Sequence, residues 1–192
     1  MSRLWILSHF GLWAFSVFLT LLVLGLYRQV GELTLSRARQ LALSQGLAIG
    51  SDAPEFVLTD QAGEPRQFPR LADGSLATVL IFGTPDCPPC RSLAEELPQL
   101  SRAEGLEMLF VGGPDSEENA RFAAEFRPGI AVLSQGSESP VTAAYKVNTT
   151  PYVYVVDRNG VVRAKGITST ADGIRGLVQE GLGKRKAKEV IG

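Results

Sequence analysis

Val79–Leu97 reads VLIFGTPDCPPCRSLAEEL, and this stretch decides the fold. A continuous apolar run meets a Gly-Thr-Pro-Asp loop, then Cys87 and Cys90 at the start of a helix-like pattern. Buried central strands read as such runs, and reactive groups of open α/β sheets gather where a strand's carboxyl end meets a helix N-terminus. Cys87 falls at that junction.

Working outward, the segment DAPEFVLTDQAGEPRQFPRLADGS alternates short β-prone pieces with turn residues and predicts a hairpin or extended arm. ATVLIF (77–82) predicts a buried strand, LEMLFVGG the next, and IAVLS a third. Between them, PDSEENARFAAEF predicts a helix, its Asp115 and Glu118 at capping-box spacing. SPVTAAYKV predicts a short helix. YVYVVD and VVRAKGI flank Asn159-Gly160, a hairpin-turn signal, and TADGIRGLVQEGL predicts a closing helix. The pattern describes an α/β domain, a mixed central sheet with helices on both faces.

The chain has 192 residues and a formal net charge of −1, with a pI of about 5.9. That length supports one domain plus an appendage, and the charge supplies no field for nucleic acid. The basic cluster GKRKAKEVIG (184–192 in its charged part) reads as a solvated tail. From Leu4 to Tyr27 no charged side chain occurs, and about 24 residues at ~1.5 Å rise exceed a ~30 Å hydrocarbon layer. This predicts one N-terminal transmembrane helix. A cleavable signal peptide needs a shorter apolar core and small residues at a cleavage site, whereas LYRQVGELTL follows here. The expected organisation is an anchor in 1–30, a juxtamembrane linker in 31–50, the domain in 51–183 and a tail in 184–192. Arg28, Arg37 and Arg39 follow the span while Arg3 precedes it, so the positive-inside count alone favours a cytoplasmic domain.

The two cysteines admit three readings. As a staple the pair closes so short a loop that it stabilises by only about 2 kcal/mol. A zinc site needs about four ligands, and the only histidine, His9, lies in the apolar N-terminal segment. A two-thiolate copper(I) site stays open as an alternative. Redox exchange explains more of the local chemistry. It needs an accessible thiolate, here Cys87 where the helix dipole favours the charged form, and a second thiol one turn on, Cys90. Pro88 suits the first helical position, and Pro89 removes a further N–H. Asp86 opposes the thiolate and Arg91 favours it. Far downstream, Thr150-Pro151 opens an apolar strand, where the proline taken alone is a strand-start residue.

FGTPDCPPCRSL, YKVNTTPYVYVVDRNGVVRAKG and GSDAPEFVLTDQAGEPRQF together resemble the membrane-anchored thioredoxin-like thiol-disulfide oxidoreductases of the TlpA-like branch, over roughly 50–181. The resemblance implies a thioredoxin-like fold. It casts Cys87 as nucleophile and Cys90 as resolving thiol of a redox disulfide, with Pro151 as a cis-proline and Thr150 pairing with an extended substrate segment. It further implies a single-pass protein of the bacterial inner membrane with its domain in the periplasm, against the arginine count. Partners would be exported protein thiols or disulfides and a membrane or periplasmic electron donor or acceptor, with no cofactor and no metal. Some positions depart from the family pattern. Asp86 replaces a common tryptophan, Ile81 a buried aspartate, and Leu93 a glutamate found in some reductive relatives. Glu95 or Glu96 is then the candidate proton acceptor for Cys90. Pro98 falls about one turn later than usual.

Two rival functions have sequence support. Thr84 and Cys87 also fit the Thr-x-x-Cys spacing of a peroxiredoxin, with Arg163 as its arginine. A tethered chaperone or copper-delivery module would use the groove beside Pro151 without turnover.

Overall fold

The computed structural model describes residues 9, 11–25, 45–69, 74–126, 130–136 and 141–189. The chain divides into two compact units, Met1–Leu41 and Ala42–Gly192. In the first, α1 (residues 11–25) is helical and exposes Trp13, Phe15, Phe18 and Leu21. Among the described residues no helix is long and apolar enough to cross a membrane; residues 4–8, 10, 26 and 27 of the span expected over 4–27 lie outside them.

The second unit contains β1 (Phe56–Asp60), β2 (Pro65–Phe68), β3 (Ala77–Phe82), α2 (Pro88–Glu104), β4 (Glu107–Val111), α3 (Ser116–Phe126), β5 (Ala131–Ser134), α4 (Val141–Ala144), β6 (Tyr152–Asp157), β7 (Val162–Ile167) and α5 (Ala171–Glu189). The strands form one sheet in the order β2-β1-β5-β4-β3-β6-β7. β3, β4 and β5 run parallel because α2 and α3 carry the chain back across one face; β6 lies antiparallel to β3, and β7 follows by a hairpin. All six residues of β3 are buried, as the apolar run requires of a strand covered on both faces.

Alternation along the strands sorts the core into two layers. Val79, Ile81, Phe110, Val153 and Val155 face α2, α3 and α5, and meet Cys90, Leu93, Leu97, Phe122 and Ile174. Leu80, Phe82, Val111, Tyr152 and Tyr154 face the other way, toward Phe56, Phe68, Val141 and Tyr145. Helices thus lie on both faces, but the second carries only the single turn α4.

The chain ahead of β1 completes that second face. Tyr154 accepts the Leu47 N–H at 3.0 Å and donates to the Tyr145 carbonyl at 2.7 Å. Tyr152 and Lys165 both donate to the Gln45 carbonyl, at 3.0 and 2.6 Å. Gly46 passes so close to the two hydroxyls that a Cβ there would collide with them. Gln45 and Leu47, inside the stretch read from sequence as linker, are thus bonded to the sheet.

Local choices follow from residue chemistry. Asp115 caps α3, accepting the Glu117 and Glu118 N–H groups at 2.8 and 3.1 Å. The β6–β7 turn closes on Asp157, which accepts the Asn159 and Val161 N–H groups, with Gly160 at φ +75°. α2 continues through Pro98 and ends at Gly105 in the left-handed conformation.

Candidate active site

β3 ends at Phe82, and the register pairs Phe82 with Tyr152. The next residue on each strand, Gly83 and Pro151, therefore sits at the same edge of the sheet, where α2 begins. The Thr150–Pro151 peptide is cis. Thr150 is exposed and Pro151 buried. The topology thus brings residues more than sixty positions apart to one sheet edge.

Cys87 occupies the N-cap of α2 with extended backbone angles, φ −82° and ψ 107°. It is disulfide-bonded to Cys90, with 5.2 Å between Cα atoms. The two sulfurs have unequal surroundings: Cys87 is half-buried, whereas Cys90 is wholly buried. Cys90 packs into the layer with Ile81, Leu93 and Phe110. Gly83 makes this possible, because a Cβ at that position would lie 3.1 Å from Cys90 Sγ and 2.5 Å from Phe110 Cζ.

An α-helix ordinarily leaves its first N–H groups without intrahelical partners. Here each is engaged or missing. The Cys87 N–H goes to the Thr84 carbonyl at 3.2 Å, Pro88 and Pro89 have none, and the Cys90 N–H goes to the Cys87 carbonyl at 2.9 Å. The Arg91 N–H reaches the same carbonyl at 3.1 Å, and no side chain caps the helix.

The Arg91 guanidinium donates to both carboxylate oxygens of Glu125, at 2.5 and 2.6 Å, and to the Pro85 carbonyl at 3.3 Å. Its charge is committed to α3 and to the loop, while Asp86 stands exposed beside Cys87. Glu125 was invisible to the sequence reading, since nothing local links it to a residue 34 positions earlier. Gly83 did carry a signal, a glycine between a buried strand and a cysteine pair.

Neither Glu95 nor Glu96 is placed as a buried proton acceptor. Glu95 and Glu96 are exposed, and the Glu96 carboxylate accepts the Ala171 N–H at 2.7 Å, capping α5. Asp60 is the one buried carboxylate among the described residues, and it is held by Arg66 in the β1–β2 turn. Arg163 is also removed from consideration. It pairs with Asp157 at 2.6 Å, at the far end of β6 from Pro151, and a strand of that length at ~3.3 Å per residue spans about 17 Å.

With this geometry in place, comparison with known proteins identifies the class. The chain belongs to the AhpC/TSA family, whose profile matches residues 49–165. It is 32% identical over 181 residues to methylamine utilization protein MauD of Paracoccus denitrificans, covering 93% of this chain and 90% of that one. The N-terminal stretch LWAFSVFLTLLVLGLYRQVGEL suggests the same likeness by itself. Thiol-disulfide oxidoreductase ResA of Geobacillus kaustophilus is 32% identical over 123 residues, covering 61% of this chain and 68% of its own. The fold is shared with a solved structure described as a putative thiol:disulfide interchange protein DsbE from Chlorobium tepidum. That match has a TM-score of 0.59 at 22% identity and covers 71% of this chain and 99% of that one. The protein is a thiol-disulfide oxidoreductase of the ResA and MauD type, with a thioredoxin-like fold and its cysteine pair at 87 and 90.

Proposed function

We propose that the protein is a single-pass, periplasm-facing enzyme of the bacterial inner membrane that exchanges disulfides with exported proteins during their maturation. The observation that carries the exchange chemistry is the asymmetric pair: a half-buried Cys87 at a helix N-cap, bridged to a wholly buried Cys90, with cis Pro151 at the same end of the sheet.

In the reducing direction the Cys87 thiolate attacks one sulfur of a partner disulfide. A Cys87–partner bond forms as the partner's S–S bond breaks and its other sulfur leaves as a thiolate. The Cys90 thiolate then attacks Cys87 Sγ, the intramolecular disulfide forms, and the partner's second thiolate is released. Two electrons and two protons pass to the partner in all. In the oxidising direction each step runs backward. Only Cys87 is exposed enough to meet a partner, so Cys90 is the resolving thiol. Thr150 lies at the strand edge where an extended partner segment would pair.

The uncharged run Leu4–Tyr27 and the exposed apolar side chains of α1 support the anchor. The likeness to MauD supports the periplasmic side against the arginine count. Alkaline phosphatase fused after Gly192 is active only in the periplasm; an inactive fusion would place the domain in the cytoplasm.

The exchange reading is tested by Cys90→Ser, which removes the resolving thiol and should trap partners on Cys87 as mixed disulfides that dithiothreitol releases. The name of the MauD relatives makes methylamine the first growth substrate to try. If Cys87→Ser/Cys90→Ser cells still matured the trapped partner normally, the protein would be a chaperone and not an exchanger.

A further inference from the structure

We infer that Arg91 is a positioning residue of the exchange reaction: aimed by Glu125, its guanidinium holds the loop that carries Cys87, and it acts through its shape and not through its charge. This rests on the exchange chemistry proposed above and adds a residue to it.

Thr84, Pro85 and Asp86 lie between the end of β3 and the N-cap of α2 at Cys87, outside both elements. Backbone bonds tie the loop at its ends, the Gly83 N–H to the Val111 carbonyl at 3.1 Å and the Cys87 N–H to the Thr84 carbonyl at 3.2 Å. A side chain reaches its middle: Arg91 Nη1 donates to the Pro85 carbonyl at 3.3 Å. Arg91 Nη2 meanwhile grips Glu125, near the end of α3, at 2.5 and 2.6 Å. A guanidinium is planar, so the directions of its N–H groups are fixed relative to one another. Glu125, by holding one nitrogen, aims the other at the loop. The side chain is a strut that runs from α3, past the first turn of α2, to a carbonyl two residues before the reactive sulfur.

Alignment matters most in the resolving step. Cys90 is wholly buried against Ile81, Leu93 and Phe110, so its position is set by the core. When its thiolate attacks Cys87 Sγ, the new S–S bond forms as the Cys87–partner bond breaks, and the partner's sulfur leaves with the electron pair. The three sulfurs must lie in line, so Cys87 has to be brought to Cys90, and the loop does that. Arg91 carries no proton and no electron in this step. A full ~1 Å misplacement of reacting atoms costs roughly a hundredfold in rate, and the loss of one strut from a loop still tied at both ends should cost less, about three- to tenfold.

The test mixes the reduced full-length chain with an equimolar amount of dithiobis-nitrobenzoate in stopped flow. Attack by Cys87 releases one coloured thiolate and resolution by Cys90 releases the second, so the two steps are read as two phases. Arg91→Lys keeps the charge and loses the fork, Arg91→Gln loses both, and Glu125→Ala keeps the cation and removes its aim. All three should slow the second phase about three- to tenfold. The first phase, in which a mobile reagent adapts to Cys87, should be little changed, and so should the pH midpoint of Cys87 alkylation in Arg91→Lys. Urea midpoints should stay near that of the parent chain, because exposed ion pairs contribute little to stability.

Parent-like second phases in Arg91→Lys beside a slow Arg91→Gln would make charge the cause and overturn the proposal. Unchanged second phases in all three variants would overturn it as well, and so would slowing that tracks a large fall in the urea midpoint, since the pair would then serve the fold alone. Each of these outcomes leaves exchange standing. A parent chain that never releases the second thiolate would instead sink the exchange reading itself.

Discussion

Replacing Gly83 by alanine tests the packing that fixes Cys90. The backbone at Gly83 does not lie in the left-handed region, so alanine meets no conformational barrier, and its cost is steric. Its Cβ would stand 2.5 Å from Phe110 Cζ, 3.0 Å from Phe110 Cε2 and 3.1 Å from Cys90 Sγ, whereas carbon contacts are optimal at ~3.5–4.0 Å. Phe110 must retreat by about 1 Å to restore contact distance, but it is wholly buried and its ring packs at 4.9 Å from that of Phe122. Overpacking of this kind costs about 1–3 kcal/mol. At a urea dependence of roughly 2 kcal/mol per molar, the unfolding midpoint of Gly83→Ala should fall by about 1 M. Trp5 and Trp13 both lie outside the second unit, so tryptophan emission is the wrong probe; far-ultraviolet circular dichroism reports the sheet. Gly136→Ala is the control, because a Cβ there meets nothing within 4 Å. A Gly83→Ala midpoint equal to that of Gly136→Ala would refute the reasoning.

Stability should fall at both ends of the pH scale. Burial pushes the hydroxyls of Tyr145, Tyr152 and Tyr154 above the usual 10, so the folded state holds protons that the unfolded chain releases, and stability present below pH 10 is lost above it. Burial would raise the carboxyls of Asp60 and Asp157, but their N–H and arginine partners outweigh it and hold both below 3.8. Their contribution is present above that value and lost as pH falls through the lowered one, which urea midpoints measured from pH 2 to 11 would show. Glu96→Ala should cost about 1 kcal/mol through the lost cap on α5 and leave the rate of Cys90 attack unchanged in stopped-flow; a large drop in that rate would instead make Glu96 the proton acceptor. Tyr154→Phe removes an acceptor from Leu47 N–H and a donor from Tyr145, and should cost about 1–3 kcal/mol by thermal melting.

What the sequence revealed and what it hid divide by range. The β3 run, the Asp115 cap and the Asn159-Gly160 turn were legible because local periodicity and turn chemistry determine them. So was the placement of Cys87 at a strand–helix junction, and with the family resemblance the cis peptide at Pro151. The ion pair from Arg91 to Glu125 was not, because two charges on different helices become partners only through the β4–α3 crossover. Adjacency to Cys87 gave Arg91 a local role, and only the tertiary structure adds Glu125 as its partner. Glu96 was misread for a similar reason: it lies on the same helix six residues beyond Cys90, yet its carboxylate turns to α5. Pro98 in the middle of α2 shows a local breaker signal overruled by the burial of Leu93, Leu97 and Leu100 on either side.

The tyrosine hydroxyls and Lys165 that hold Gln45 and Leu47 also set how much slack the chain has. They fix the chain on β6 and β7 already at residues 45–47, ahead of Gly50. Freeing residues 45–50 would add up to ~20 Å of reach. With the domain tethered as proposed, longer reach would spread Cys87 through a larger volume and lower its effective concentration at a partner on the same surface. The clamp could therefore alter how often the sulfur meets that partner while leaving its chemistry untouched.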